Sequence, residues 1–252
     1  MVWGEAIASL HLTEHSSHLY EFKIPMIIPI DNVLDQEQLA NIRSLLAQAD
    51  WQDGLQTAGQ QAALVKRNHQ LAENSELSQY LGDIVLQALS THPVFVSAAL
   101  PLQIYPPMFN RYEQGETYGL HVDNAMRVVP GTPVRVRTDL SATLFLNEPE
   151  DYHGGELRIE DNYAAQEIKL SAGDLILYPS TLLHTVQPVI SGDRLASFFW
   201  VQSMVRSHEQ RELLFNLDQS VQSLILQHNQ QHQDVLRLSG IYQNLIRQWS
   251  DT

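Results

Sequence analysis

Between Val94 and Arg206 short β-rich runs alternate with turn residues, and this texture constrains the fold more than any other feature of the chain. Turns are marked at Pro106-Pro107, Gly115, Pro130-Gly131, Gly154-Gly155, Ala172-Gly173-Asp174 and Ser191-Gly192. Strands are expected at Leu140–Leu146, Glu156–Ile159, Glu167–Leu170, Asp174–Tyr178 and Ala196–Gln202. Short strands at such regular spacing indicate an all-β sandwich or barrel.

Helical patterns flank this stretch. Asp35 can cap a helix to about Gln48, with Gln38 three residues on. Leu39, Ile42, Leu45 and Leu46 form its apolar stripe. A second helix is expected from near Asn74, ended by His92-Pro93. The segment Gln52 to Leu71 reads as polar and irregular, with Lys66-Arg67-Asn68 either an exposed loop or a cover for a pocket mouth. Ser207 can cap a third helix, and a last one carries Val235, Leu238, Ile241, Tyr242, Leu245 and Trp249. These stripes suit either intramolecular docking or a homodimer. The chain divides as 1–25, an N-terminal extension; 26–102, a helical and strand support; 103–205, the β domain; and 206–252, a C-terminal helical region. Met26 is a candidate natural start.

Composition excludes several function classes. Fifteen basic and 29 acidic residues give a net charge of -14, and no Lys/Arg run offsets it, so nucleic acid is not an expected partner. There are no cysteines, which rules out disulfides, thiolate zinc sites and Cys nucleophiles. No apolar run reaches the roughly 18 residues of a membrane span. Met1 to Lys23 lacks a basic n-region, so a cytoplasmic protein with no membrane partner is expected.

Within the β region, His121-Val122-Asp123 places an imidazole and a carboxylate at i and i+2. On a strand these share one face, roughly 6.6 Å apart, with Val122 turned away into packing. One His and one carboxylate are two thirds of a facial triad for non-heme iron. His-x-Asp alone is a weak signal, since His232-Gln233-Asp234 also fits; that copy lies in a helical region and reads as solvated surface. The buried strand ending at Tyr178-Pro179 leads through a short loop to His184, a further imidazole. Arg194 comes ten residues later, directly before an apolar strand. A guanidinium entering a barrel interior needs a partner, and a bidentate carboxylate is the natural one. His153 is a weaker alternative ligand, because Gly154-Gly155 suits a tight hairpin turn. Arg135 and Arg137 could steer an anion, but salt bridges to the acidic surface are expected.

The order His-x-Asp, distal His, then Arg about ten residues on resembles the Fe(II)/2-oxoglutarate-dependent dioxygenases. Phe109-Asn110-Arg111-Tyr112, Glu116 to Asp123, Arg137 to Leu146 and Gly154-Gly155-Glu156-Leu157 are similar to the bacterial PKHD-type hydroxylases, relatives of the prolyl 4-hydroxylase domain. The likeness runs from about Met26 to the C-terminus. It implies a double-stranded β-helix, or jelly roll, mainly β with flanking helices. It implies His121, Asp123 and His184 as Fe(II) ligands, Arg194 as anchor of the distal carboxylate of 2-oxoglutarate, and Tyr112 as a hydrogen-bond partner of that co-substrate. Trp200 is then a wall of the pocket or part of the core. Three protein ligands leave three positions on an octahedral iron, for the co-substrate chelate and O2. The implied reaction hydroxylates a C–H bond and releases succinate and CO2, with L-ascorbate as a rescuing reductant. The resemblance also suggests a link to iron homeostasis. The substrate, a small molecule, peptide or protein, is not readable. Two other readings share the ligands: a non-catalytic metal or 2-oxoglutarate sensor, and a zinc hydrolase. Neither explains Arg194 as well.

Overall fold

The computed structural model describes residues 26–57, 65–161 and 164–251. The expected N-terminal extension, and with it the reading of Met26 as a start, lies outside these residues.

Strand β1 (Ile28–Ile30) leads to helix α1 (Gln36–Leu46). Short strands β2 (Gln52–Asp53), β3 (Lys66–Arg67) and β4 (His69–Gln70) precede helices α2 (Glu76–Thr91) and α3 (Pro93–Ala99). Then come β5 (Pro101–Ile104), β6 (Met108–Tyr112), β7 (Thr117–His121) and a ribbon of β8 (Met126–Val128) and β9 (Arg135–Arg137). The remaining strands are β10 (Leu140–Phe145), β11 (His153–Gly154), β12 (Leu157–Glu160), β13 (Ala165–Ile168), β14 (Leu175–Pro179), β15 (Leu183–Val186), β16 (Val189–Ser191) and β17 (Arg194–Ser203). Helices α4 (His208–Gln227) and α5 (Gln233–Trp249) close the chain.

The large sheet runs β1-β14-β10-β17-β6-β4-β2, with β5 also paired to β17. The smaller runs β13-β12-β15-β7-β3, and all pairings are antiparallel. The large sheet is buried on both faces, which is why β14 reads as a continuous apolar run and why Ser141 and Thr143 of β10 are buried although they alternate with apolar residues. Leu140, Ala142, Leu144, Leu175, Leu177, Phe199 and Val201 pack outward against Ile42, Leu46, Leu81, Val85, Leu89 and Phe95 of the helices. Tyr112, Phe145, Ile176 and Tyr178 pack inward against Leu157, Ile159 and Val186 of the smaller sheet. The result is the expected jelly roll with flanking helices. At ~25 cal/mol per Å² of apolar surface, this double burial makes the large sheet the most stabilised element of the fold.

The caps hold as expected. Asp35 and Gln38 form a reciprocal capping box on α1, and the Ser207 side chain accepts from Gln210 N on α4. Tyr242, Leu245, Ile246 and Trp249 of α5 pack around Leu100, Val205 and Leu214, so much of the C-terminal apolar stripe is used within the chain. No helix among the described residues is long and apolar enough to cross a membrane.

Five expectations are corrected. Residues from Pro93 to Ala99 are helix, not strand-rich chain; His92-Pro93 does end α2, but Pro93 also begins α3 and the His92 ring caps it by accepting from Phe95 N. The described part of Gln52 to Leu71 is not irregular, because β2, β3 and β4 extend both sheets. Strand β13 starts at Ala165, two residues before its expected start. Gly154 and Gly155 are not a hairpin turn. Both have positive φ (71° and 69°), Gly154 pairs with Val189 across a bulge, and a Cβ on it would overlap the Pro188 carbonyl. His232-Gln233-Asp234 is not merely solvated: His232 caps α5, its Nδ1 accepting from Asp234 N at 3.3 Å.

Candidate active site

His121 and His184 are direct cross-strand partners in the β7–β15 pair, so antiparallel register alone brings together two residues far apart in sequence. Their ring centroids lie 4.2 Å apart. Each ring is oriented by a carbonyl of its own segment: His121 Nδ1 lies 2.8 Å from Gly119 O, and His184 Nδ1 lies 3.0 Å from Leu182 O. A carbonyl only accepts, so each Nδ1 carries the proton and each Nε2 keeps its lone pair. Burial first, then the neighbouring His184, pushes His121 down to about 4, which keeps it a neutral imidazole at physiological pH.

Asp123 arrives differently from the expectation. Strand β7 ends at His121, and Val122 is 48% exposed rather than packed away. The carboxylate therefore sits on the loop beyond the strand, and its position is set by the opposite sheet. Ser141 of β10 donates to Asp123 Oδ2 at 2.6 Å, and Ser180 Oγ lies 2.7 Å from Ser141 Oγ. The loop is pinned again where Thr138 Oγ1 donates to Asn124 O at 2.6 Å. His184 Nε2 is 3.6 Å from Asp123 Oδ2, and the ligand atoms of His121, Asp123 and His184 all lie within 4.8 Å of one another. Two imidazoles and a carboxylate at this spacing fit a divalent first-row metal.

Ser141→Ala is expected to leave the fold intact and weaken metal binding about 10-fold or more, because partners of a metal ligand typically carry 10–100-fold of affinity. Calorimetric titration with Zn(II) or Fe(II) checks this; an unchanged affinity means the serine pair does not position Asp123.

Arg194 and Tyr112 are also cross-strand partners, in the β17–β6 pair, and both point inward. Arg194 is 1% exposed, and among the described residues no carboxylate lies within ion-pair distance of it. Its guanidinium carbon sits 5.5 Å from the Tyr112 ring and 5.4 Å from Phe145. Nε and Nη1 have no hydrogen-bond partner there. Two orphaned donors on a buried cation, in the cavity that the metal triad lines, fit a dicarboxylic co-substrate. Burial pushes the Tyr112 hydroxyl up to about 12, against the opposing pull of Arg194, so it stays a proton donor. All five expected site residues thus line one cavity.

Other expected candidates do not join them. His153 is exposed and paired opposite Ser191, outside the triad. Arg135 is exposed, and Arg137 makes a two-pronged ion pair with Asp139 at 2.7 and 3.0 Å. Trp200 does line the cavity. Lys66 proves 6% exposed and lines it too, its ammonium 5.4 Å over the Tyr118 ring. The lining residues with no role assigned from the sequence include Tyr118, stacked 3.6 Å from His121, Tyr178, Ser141 and Arg127. Strand alternation held the signal for Ser141, since it faces away from Leu140 and Ala142.

Comparison with known proteins decides the family. Residues 107–202 match the 2OG-Fe(II) oxygenase superfamily, and residues 208–251 match the PKHD-type hydroxylase C-terminal domain. A PKHD-type hydroxylase of Saccharophagus degradans is 56% identical over 227 residues, covering 90% of this chain and 100% of the relative. One from Acinetobacter baumannii is 54% identical over 226 residues, with the same coverage of each. The chain belongs to the PKHD-type hydroxylases. It is therefore an oxygenase of the 2OG-Fe(II) superfamily, whose chemistry uses Fe(II), 2-oxoglutarate and O2. Among solved structures, a Trichoplax adhaerens prolyl hydroxylase in complex with a hypoxia inducible factor peptide fragment aligns with TM-score 0.50 at 17% identity, covering 75% of this chain and 86% of that one. A non-heme α-ketoglutarate-dependent carbocyclase from nogalamycin biosynthesis aligns with TM-score 0.51 at 13% identity, covering 71% and 80%. At such identities these two establish the shared fold of this PKHD-type hydroxylase and nothing finer.

Proposed function

We propose that His121, Asp123 and His184 hold Fe(II), that Arg194 and Tyr112 hold the distal carboxylate of 2-oxoglutarate, and that the enzyme hydroxylates a C–H bond of a third molecule with release of succinate and CO2. The observation that carries this reading is Arg194, a fully buried cation whose Nε and Nη1 lack partners in the cavity of the triad. A metal site without a co-substrate has no use for such a group.

Bound Fe(II) and 2-oxoglutarate supply the O2-dependent oxidation chemistry. The chain supplies orientation and dryness. Gly119 and Leu182 carbonyls hold the two imidazoles with Nε2 toward the metal. Ser141 holds Asp123 against the large sheet. Tyr118 and Tyr178 flank the histidine rings and shield them from water, and burial holds both phenols above their ordinary range. L-ascorbate is proposed as the reductant that restores iron oxidised in uncoupled turnovers. A link to iron homeostasis is proposed on the resemblance of the chain alone.

The test uses purified protein loaded anaerobically with Fe(II) and 2-oxoglutarate and then exposed to O2. Slow succinate formation is expected even without a third molecule. No succinate under any condition, with 2-oxoglutarate still bound, sinks the catalytic reading and leaves the sensor.

A further inference from the structure

A second arginine in the same cavity has no part in the scheme above. Arg127 lies four residues beyond Asp123, on β8, and lines the cavity with the metal triad and Lys66. Its guanidinium carbon sits 4.1 Å from the Trp200 ring centroid and 4.9 Å from that of Tyr105. The two rings meet edge-on at 5.6 Å. A planar cation held against two aromatic rings loses its rotational freedom before any ligand arrives. Among the described residues its carboxylate partner is Glu73, at 3.9 Å from Nη2, a loose contact. Glu73 is also engaged by the Tyr105 hydroxyl at 3.0 Å. Arg127 Nε is buried and has no hydrogen-bond partner among the described residues.

The guanidinium's own geometry gives the direction. Its plane is fixed by two rings, its buried Nε has no hydrogen-bond partner among the described residues, and Glu73 holds it only loosely, so a planar acceptor in the cavity is the group that completes it. Lys66 lines the same cavity; burial first and repulsion by Arg127 second lower it to about 8, opposed by Glu73, Asp53 and Asp123.

We infer that Arg127, pre-oriented by Trp200 and Tyr105, recognises a carboxylate on the molecule that is hydroxylated. The substrate class is thus a carboxylate-bearing molecule whose oxidised C–H lies within the cavity's span of that group. This inference deepens the proposed function and rests on it.

Two matched probes test it, 3-phenylpropionate and its neutral amide. Each is titrated by calorimetry into Zn(II)-loaded protein saturated with 2-oxoglutarate, which blocks Arg194. The carboxylate is expected to bind about tenfold more tightly than the amide, the least that losing hydrogen bonds to a charged group should produce. Arg127→Gln should abolish that preference while binding 2-oxoglutarate as the parent protein does, which shows that it is folded. Arg127→Lys, which keeps the charge but not the fork, should retain part of the preference. Equal binding of the two probes, no saturable binding of the carboxylate, or an undiminished preference in Arg127→Gln overturns the assignment. If the parent protein fails to bind 2-oxoglutarate, the proposed function falls instead. The difference between parent and Arg127→Gln in metal-free protein then still decides the carboxylate site.

Discussion

Arg194→Met is expected to lose 2-oxoglutarate and to gain stability. The arginine is 1% exposed, and no acidic group among the described residues pairs with it. Its neighbours are the rings of Tyr112 and Phe145 and the Tyr152 hydroxyl, which offer a cation only weak compensation. In the free protein the buried guanidinium is therefore a cost. Methionine fills similar volume without unsatisfied donors, so unfolding should become harder by roughly 1–3 kcal/mol, or about 2–4 °C in Tm per kcal/mol for a chain of this size. With co-substrate the sign reverses. Breaking a buried, hydrogen-bonded charge pair costs about 3–5 kcal/mol, which is roughly a hundredfold or more in affinity. Thermal melts with and without 2-oxoglutarate read both effects: the variant should melt higher alone and should not respond to the ligand. A variant that keeps normal co-substrate affinity removes Arg194 from the site.

His184→Ala should carry the other large loss. Structural metal sites share about 10–16 kcal/mol among four ligands, or roughly 3 kcal/mol each. Removing one of three ligands is therefore expected to weaken metal binding about a hundredfold or more. The backbone should hold, because β15 is paired on both sides, to β12 and to β7. Metal titration alongside far-ultraviolet circular dichroism separates the two: lost metal with an unchanged spectrum is the expected pair. Metal bound at parental affinity would mean that another group completes the site.

The two variants also differ in how their positions could be known. His121, His184 and Arg194 were legible as a motif, a His-x-Asp, a distal His and an Arg ten residues on, and strand register is what assembles them. His184 faces His121 and Arg194 faces Tyr112 across antiparallel pairs, and period-two alternation then turns each side chain inward. Asp123 joins the cluster with His121 and His184 for a different reason than the sequence suggested. The i, i+2 argument needs a strand, and the strand stops at His121. What holds the carboxylate is Ser141, 18 residues on and in the other sheet, a contact that no local pattern encodes.

Lys66 shows the opposite failure. Polar neighbours left an exposed loop or a pocket cover open, and pairing of β3 with β7 rules out the loop by burying the lysine over Tyr118. Gly154-Gly155 carried turn chemistry, but its positive φ serves a bulge pressed against Pro188 and Arg194 instead.

By itself, then, the sequence determined the elements with local causes: the caps at Asp35 and Ser207, the apolar helix stripes, the strand-rich middle, and the identity and order of three candidate metal ligands and one arginine. Tertiary structure alone decided which face each strand buries, where the chain leaves β7 to present Asp123, and that Arg127 meets Trp200 and Tyr105 beside the metal site. The reason is physical. Caps and periodicity depend on neighbours within a turn or two, whereas burial and side-chain pairing between sheets depend on register set by strands far apart in the chain.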